Sequence, residues 1–111
     1  MTDRFRILLV DDEPDLRAST AQALDLAGFA VTEFAAGDRV PDYVSFGFPG
    51  IVLTDIRMPG IDGLTLMNRI HEVDRDIPVI LITGHGDVQL AVLAMREGAH
   101  DFIEKPYPPG Q

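Results

Sequence analysis

Three short runs of uninterrupted apolar residues, Ile7-Leu8-Leu9-Val10, Ile51-Val52-Leu53 and Val79-Ile80-Leu81-Ile82, constrain this chain more than any other feature. Each is too short for a helix, is rich in β-branched residues and is bounded by turn formers. Apolarity without alternation means that both faces of such a strand are covered. Weaker strand signals follow Gly28, over Ala30 to Phe34, and Gly98, over Asp101 to Ile103. Helix-sized segments lie between them. Residues 14–27 place Leu16, Thr20, Ala23, Leu24 and Ala27 on one face, with Pro14 suited to the first turn and Gly28 to the C-terminal cap. Residues 64–73 repeat the pattern with Leu64, Met67, Ile70 and Val73, residues 87–97 form another helical stretch ended by Gly98, and a weaker one spans about 38–46 around Pro41. The resulting order, β-α-β-α-β-α-β-α-β, predicts an α/β fold: a parallel sheet wrapped on both faces by helices, with right-handed crossovers.

At 111 residues the chain is expected to be one domain, residues 1–111, and no repeat or linker divides it. The absence of cysteine excludes disulfides, zinc-thiolate sites and a thiol nucleophile. No apolar run approaches the roughly 20 residues that span a bilayer, and the start lacks a signal-peptide core, so a soluble, cytoplasmic domain is expected. A net charge of −9 argues against binding of nucleic acid or anionic lipid by this domain and favours a cation or a protein as ligand.

In sheets of this kind ligands sit at the carboxyl ends of the strands. The residues there are Asp11-Asp12-Glu13, Asp55, Thr83-Gly84 and, after the last strand, Lys105-Pro106. Two carboxylates about 4 Å apart repel by roughly 4 kcal/mol at an effective dielectric near 20, so the cluster needs a cation or an altered protonation state. Oxygen-only ligands with open positions suit Mg²⁺, which retains waters and accepts phosphate oxygens. With Lys105 beside it, such a site suits a phosphoryl group, and an aspartate there can act as nucleophile and form an acyl phosphate. Local explanations exist for each residue singly: an acidic run before Pro14 favours the positive end of a helix, Thr83 can cap the next helix, Asp55 can sit in a loop and Lys105 can be solvated. Their shared position at the ends of successive strands is what favours a common site.

The segments LLVDDE, TDIRMPGIDG, LITGHGD and GAHDFIEKP together resemble the receiver domain of two-component response regulators over nearly the whole chain. Their wording is similar to receivers of the nitrogen-regulator class, nearest to those of the C4-dicarboxylate transport regulators. The resemblance implies a flavodoxin-like, doubly wound sheet in the order 2-1-3-4-5. It also implies that Asp55 is the phosphoacceptor, receiving its phosphoryl group from a phosphohistidine of a sensor histidine kinase. Mg²⁺ would be held by Asp12, Asp55 and the backbone carbonyl of Arg57, with Asp11 acting through water. Lys105 would pair with a phosphoryl oxygen, and the Lys105-Pro106 bond would be cis as in relatives. Thr83 would turn its hydroxyl to the phosphate while Phe102 swings inward, the two forming a switch pair that controls a downstream transcriptional output domain. Any enzymatic activity would be limited to self-phosphorylation and self-dephosphorylation.

Two departures stand out. Phe102 lacks the hydroxyl that many relatives carry as tyrosine. The family fold continues into a fifth helix after the Lys-Pro, whereas this chain ends at Gln111, so a chain truncated before that helix is expected, with lowered stability and a tendency to associate.

Residues 88–97 are mostly apolar. Val88, Ala91, Val92 and Met95 share the face expected to pack on the sheet, which leaves Leu90, Leu93 and Ala94 turned elsewhere. Leu90 and Leu93 are therefore read as a partner surface, part of a homodimer face formed by the fourth helix and fifth strand; half-covered leucines are the simpler alternative. His71, His85 and His100 have no metal-ligand spacing. An Mg²⁺-dependent phosphohydrolase with an aspartyl-phosphate intermediate is the competing function. Such an enzyme wants a second carboxylate two residues after its nucleophile, where this chain has Arg57. An interaction module that has lost phosphorylation is disfavoured by the retained Asp11, Asp12, Asp55, Thr83 and Lys105, and a nucleotide site by the lack of a glycine-rich phosphate loop.

Overall fold

The computed structural model describes residues 5–84 and 86–105. Strand β1 (Arg6–Val10) leads into helix α1 (Pro14–Leu26) and strand β2 (Ala30–Phe34). A single 3-10 turn at Val40–Tyr43 precedes β3 (Gly50–Asp55), α2 (Gly63–Val73), β4 (Val79–Thr83), α3 (Val88–Glu97) and β5 (Asp101–Glu104). All four ladders are parallel and the strand order is β2-β1-β3-β4-β5, the flavodoxin-like arrangement expected. Ile7 pairs with Ile51, Val10 with Thr54, Asp55 with Ile82 and Leu81 with Phe102.

The three apolar runs form the middle of the sheet and are buried on both faces. On one face Leu8, Val10, Val52, Val79 and Leu81 pack with Leu66, Met67 and Ile70 of α2 and with Ala91 and Ala94 of α3. On the other, Ile7, Leu9, Leu53 and Ile82 pack with Ala21 and Leu24 of α1. Each fully buried Leu or Ile is worth about 1.5–3 kcal/mol relative to exposure, so the strand runs that announce the fold also hold it together.

Three local features differ from expectation. Residues 38–46 do not make an α-helix: Pro41 lies at the start of the 3-10 turn, no side chain caps it, and Gly47 and Pro49 follow before β3, so no second turn propagates. Asp55 and Thr83 are the last residues of their strands rather than the first residues beyond them. The orientation of α3 is also corrected. Ala91 and Ala94 face the sheet with half-buried Leu90 beside them, because small side chains let the helix approach closely. Val88, Val92, Leu93 and Met95 face solvent. Leu90 is thus a core contact and not part of a free surface, whereas Leu93 is exposed.

Helix α2 is seated against the strand end. Its cap, Asp62, accepts the Thr65 N–H at 2.8 Å, and the Gly63 N–H donates to the Ile56 carbonyl at 2.7 Å. A Cβ at Gly63 would stand 2.9 Å from Ile56 Cα and closer still to the Asp55 carbonyl oxygen. Only glycine allows this approach, which fixes the peptide carrying Asp55.

Candidate functional site

Parallel strands deliver their C-terminal residues to one edge, and that edge holds Asp11, Asp12, Asp55, Thr83 and Lys105, whereas Phe102 lies within β5 and Leu90 and Leu93 lie along α3. Asp11, Asp12 and Asp55 each present a carboxylate oxygen, and the three oxygens lie within 4.8 Å of one another. Asp11 (0% exposed) and Asp55 (3%) are buried at the ends of the neighbouring central strands, while Asp12 is open to solvent. Lys105 Nζ stands 3.1 Å from Asp55 Oδ1, donates to Asp55 Oδ2 at 3.3 Å and reaches Glu13 Oε1 at 3.2 Å. Its place is set by the Lys105 N–H, which donates to the Thr83 carbonyl at 2.7 Å. An open cavity of about 280 Å³ is lined by Asp12, Glu13, Asp55, Arg57, Asp87 and Lys105, among others.

Burial pushes the Asp55 carboxyl up to about 7, the facing Asp11 carboxylate pushes the same way, and Lys105 opposes both. Burial alone would lower Lys105, but Asp55, Asp11 and Glu13 together raise it above its ordinary value. Two facing carboxylates share a hydrogen bond only while one carries a proton. Without that proton, Asp11 Oδ2 is buried with no hydrogen-bond donor, Asp55 Oδ1 has only the Lys105 ammonium at 3.1 Å, and Thr83 Oγ1 is buried with no hydrogen-bond partner among the described residues. Buried polar atoms without partners are costly in a native fold. Hard oxygen ligands of this kind, part open and part buried, fit a small divalent cation, and a buried hydroxyl beside them fits an incoming oxyanion.

Local explanations do not account for these residues as a set. Glu13 occupies the N-cap position of α1 without a side-chain cap bond, and Asp11 Oδ1 accepts the Glu13 N–H at 2.9 Å, so the acidic run organises its own loop. Thr83 caps nothing, because Asp87 is the residue at the start of α3. Lys105 is engaged by two carboxylates. Phe102 is half-buried on β5 and packs against the core beside α2 and α3. Arg57 lies on the cavity rim, and its exposed guanidinium pairs with the nearly buried Asp87, Nε to Oδ1 at 2.8 Å.

Sequence reasoning missed three participants. Glu13 stands in the strand-end run with Asp11 and Asp12, but its pairing with Lys105, 92 positions away, has no signal in the sequence. Asp87 starts α3 as expected and in addition ties that helix to Arg57, a role the sequence does not show. Arg17, inside α1, gave no signal, yet its guanidinium reaches back to the Asp11 carbonyl at 2.8 Å. His71 is structural, its Nε2 3.1 Å from the Ile77 carbonyl, and His100 is exposed. His85 and the Lys105-Pro106 bond lie outside the described residues. No helix among the described residues is long and apolar enough to cross a membrane.

A parallel sheet in this order, with clustered aspartates and a lysine at its carboxyl edge, defines a receiver-type signalling domain. The chain belongs to the response regulator receiver domain family, which it matches over residues 7–111, and phosphorylation-driven switching is that family's general function. It is 54% identical over 103 residues to the C4-dicarboxylate transport transcriptional regulatory protein DctD of Pseudomonas aeruginosa, covering 93% of this chain and 22% of that protein. It is 40% identical over 99 residues to the DNA-binding transcriptional regulator NtrC of Klebsiella pneumoniae, covering 89% of this chain and 21% of that one. The chain therefore spans about a fifth of the length of these relatives. Among solved structures, full-length FixJ from B. japonicum superposes with a TM-score of 0.82 at 42% identity, over 97% of this chain and 53% of that one. The receiver domain of NtrX from Brucella abortus does so with a TM-score of 0.80 at 35% identity, over 93% and 88%.

Proposed function

We propose that residues 1–111 act as one receiver unit in which Asp55 accepts a phosphoryl group from a phosphohistidine of a sensor histidine kinase. The observation that carries this reading is the convergence of three carboxylates at one sheet edge, the oxygens of Asp11, Asp12 and Asp55 lying within 4.8 Å of one another, with Lys105 Nζ 3.1 Å from Asp55 Oδ1. In the transfer, an Asp55 oxygen forms the new bond to phosphorus as the phosphorus–nitrogen bond of the donor breaks, and the electron pair leaves with the imidazole. Lys105 is already within reach of both Asp55 oxygens and stabilises the equatorial phosphoryl oxygens, while the Thr83 hydroxyl gains an acceptor. Asp12 and Asp55 would hold Mg²⁺ directly, with the Arg57 carbonyl, and Asp11 through water. The ion's contribution is to neutralise charge on the carboxylates and the phosphoryl group. Loss of the phosphoryl group is its transfer to water, so the domain's own chemistry stops at self-phosphorylation and self-dephosphorylation. Arg57 stands where a phosphohydrolase would carry its second carboxylate, which supports a single-use acceptor over a turnover enzyme.

The new dianion adds a charge of about −1.5 to −2 and fresh acceptor oxygens. Thr83 and Phe102 then repack as a pair, and β5 and α3 carry the change to a homodimer face and a transcriptional output domain. The exposed residues Val88, Val92, Leu93 and Met95 form the α3 part of that face, with Leu93 as its centre. An acidic domain of this kind acts in the cytoplasm without gripping nucleic acid or membrane itself. Incubation with Mg²⁺ and acetyl phosphate, read by intact mass, tests the acceptor. The wild-type chain gains one phosphoryl group and Asp55→Asn gains none; equal labelling of both would overturn the assignment.

A further inference from the structure

The acidic cluster is crowded, and something must hold the β1–α1 loop in place against its own repulsion. Asp11 is pinned on three sides. Its N–H donates to the Phe34 carbonyl at 3.0 Å, its Oδ1 accepts the Glu13 N–H at 2.9 Å, and its carbonyl accepts from Arg17 Nη1 at 2.8 Å. The first two partners are backbone groups of β2 and of the loop itself. The third is a side chain one turn into α1, from a residue whose own N–H donates to the Glu13 carbonyl at 2.9 Å. The other side of the guanidinium, Nε, lies 3.4 Å from Glu33 Oε1 on β2. Arg17 is mostly buried although charged, and it is not among the residues lining the cavity.

The contact to Glu33 is long and its partner is exposed, so by itself it does not explain an arginine held with only a fifth of its side chain exposed. The short, charge-assisted bond to the Asp11 carbonyl does. Its effect is to fix the peptide from which Asp11 and then Asp12 project, leaving Asp11 Oδ2 as the one side-chain oxygen aimed at Asp55 without a donor. We propose that Arg17 is the positioning residue of the cation site: it clamps the Asp11 carbonyl from behind, with Glu33 steering the guanidinium, and so sets the affinity of the acidic loop for a divalent cation. This inference rests on the reading of the aspartate cluster as a Mg²⁺ site.

The sign of the effect separates positioning from simple charge. A cation near an Mg²⁺ site repels the ion, so removing Arg17 tightens Mg²⁺ binding if the arginine acts only through its field. If it positions the loop, removal weakens binding, in the range of 10- to 100-fold typical of groups that orient metal ligands. The test is calorimetric titration of Mg²⁺ into wild type, Arg17→Met and Arg17→Lys at fixed ionic strength, with apo melting curves measured alongside. We expect Arg17→Met to bind about tenfold more weakly than wild type, and Arg17→Lys, which restores a donor for the Asp11 carbonyl, to recover affinity towards wild type. Binding by Arg17→Met as tight as wild type or tighter overturns the inference, and so does a lysine variant no better than the methionine one. Should Arg17→Met give no cooperative melt, Arg17→Leu replaces it; that variant is also neutral and carries no donor, so a pure field effect still requires tighter binding. Failure of wild type itself to bind Mg²⁺ would overturn the cation-site reading and this inference with it, whereas an unchanged Arg17 variant beside a binding wild type overturns this inference alone.

Discussion

Replacing Asp55 by Asn should stabilise the protein in the absence of divalent ions, and the gain should grow with pH. The Asp55 carboxyl is raised from 3.8 to about 7 by burial and by Asp11, so its ionised form costs the folded state about 4 kcal/mol relative to the unfolded chain. The folded protein holds this proton to a higher pH than the unfolded chain does. The stability contributed by the protonated form is therefore complete below about pH 4 and is lost as pH rises through about 7. Between pH 5 and pH 8 that loss is roughly 2–3 kcal/mol for wild type, and none of it applies to an amide that does not titrate. For a domain of this size such a difference shifts the melting temperature by on the order of 10 °C. Thermal unfolding of both proteins in chelator at pH 5 and pH 8 measures it: the advantage of Asp55→Asn should widen by that amount at the higher pH. Mg²⁺ at pH 8 should then close the gap by stabilising wild type more than the variant. A gap of the same size at both pH values, or a variant less stable than wild type at pH 8, would refute the view that the resting site is held under carboxylate repulsion.

Three further outcomes follow from packing. Gly63→Ala should destabilise the fold by about 2 kcal/mol or more, because its Cβ meets the Asp55–Ile56 backbone rather than a flexible side chain, and denaturant unfolding checks this. Leu93→Ser should leave stability within about 0.5 kcal/mol and weaken phosphorylation-dependent association measured by sedimentation, whereas Leu90→Ser, on the core side of α3, should lower stability instead.

The strand skeleton was legible because its signal is local: runs such as Val79 to Ile82 are apolar on both faces, and few structures bury such a run. The site residues were legible for a related reason, since each ends a strand or follows one within two residues, and parallel strands all end on one edge. Orientation along α3 was harder to read. Seven apolar residues in ten leave the helical period ambiguous, and the stripe that packs is chosen by the smallness of Ala91 and Ala94 against the sheet, a property of the partner surface. The segment around Pro41 failed in a similar way, because length and polarity allowed a helix that Pro41 and the following Gly47 and Pro49 do not let propagate. Least legible were Glu13, Arg17 and Asp87, whose roles depend on partners brought near only by the finished fold. Nothing in the neighbourhood of Arg17 in the chain points to the Asp11 carbonyl.

The place of Asp55 in the strand order has a mechanical consequence. It closes β3, which is clamped between β1 and β4, while Phe102 belongs to β5, four residues long and paired on one side only among the described residues. Stiffness therefore falls from the centre of the sheet to its rim. A phosphoryl group accepted at Asp55, as proposed above, would be mounted on a strand bonded on both sides, and the strand with fewest ladder bonds to give up in responding would be β5. Precision and responsiveness are thus divided between two places on one scaffold.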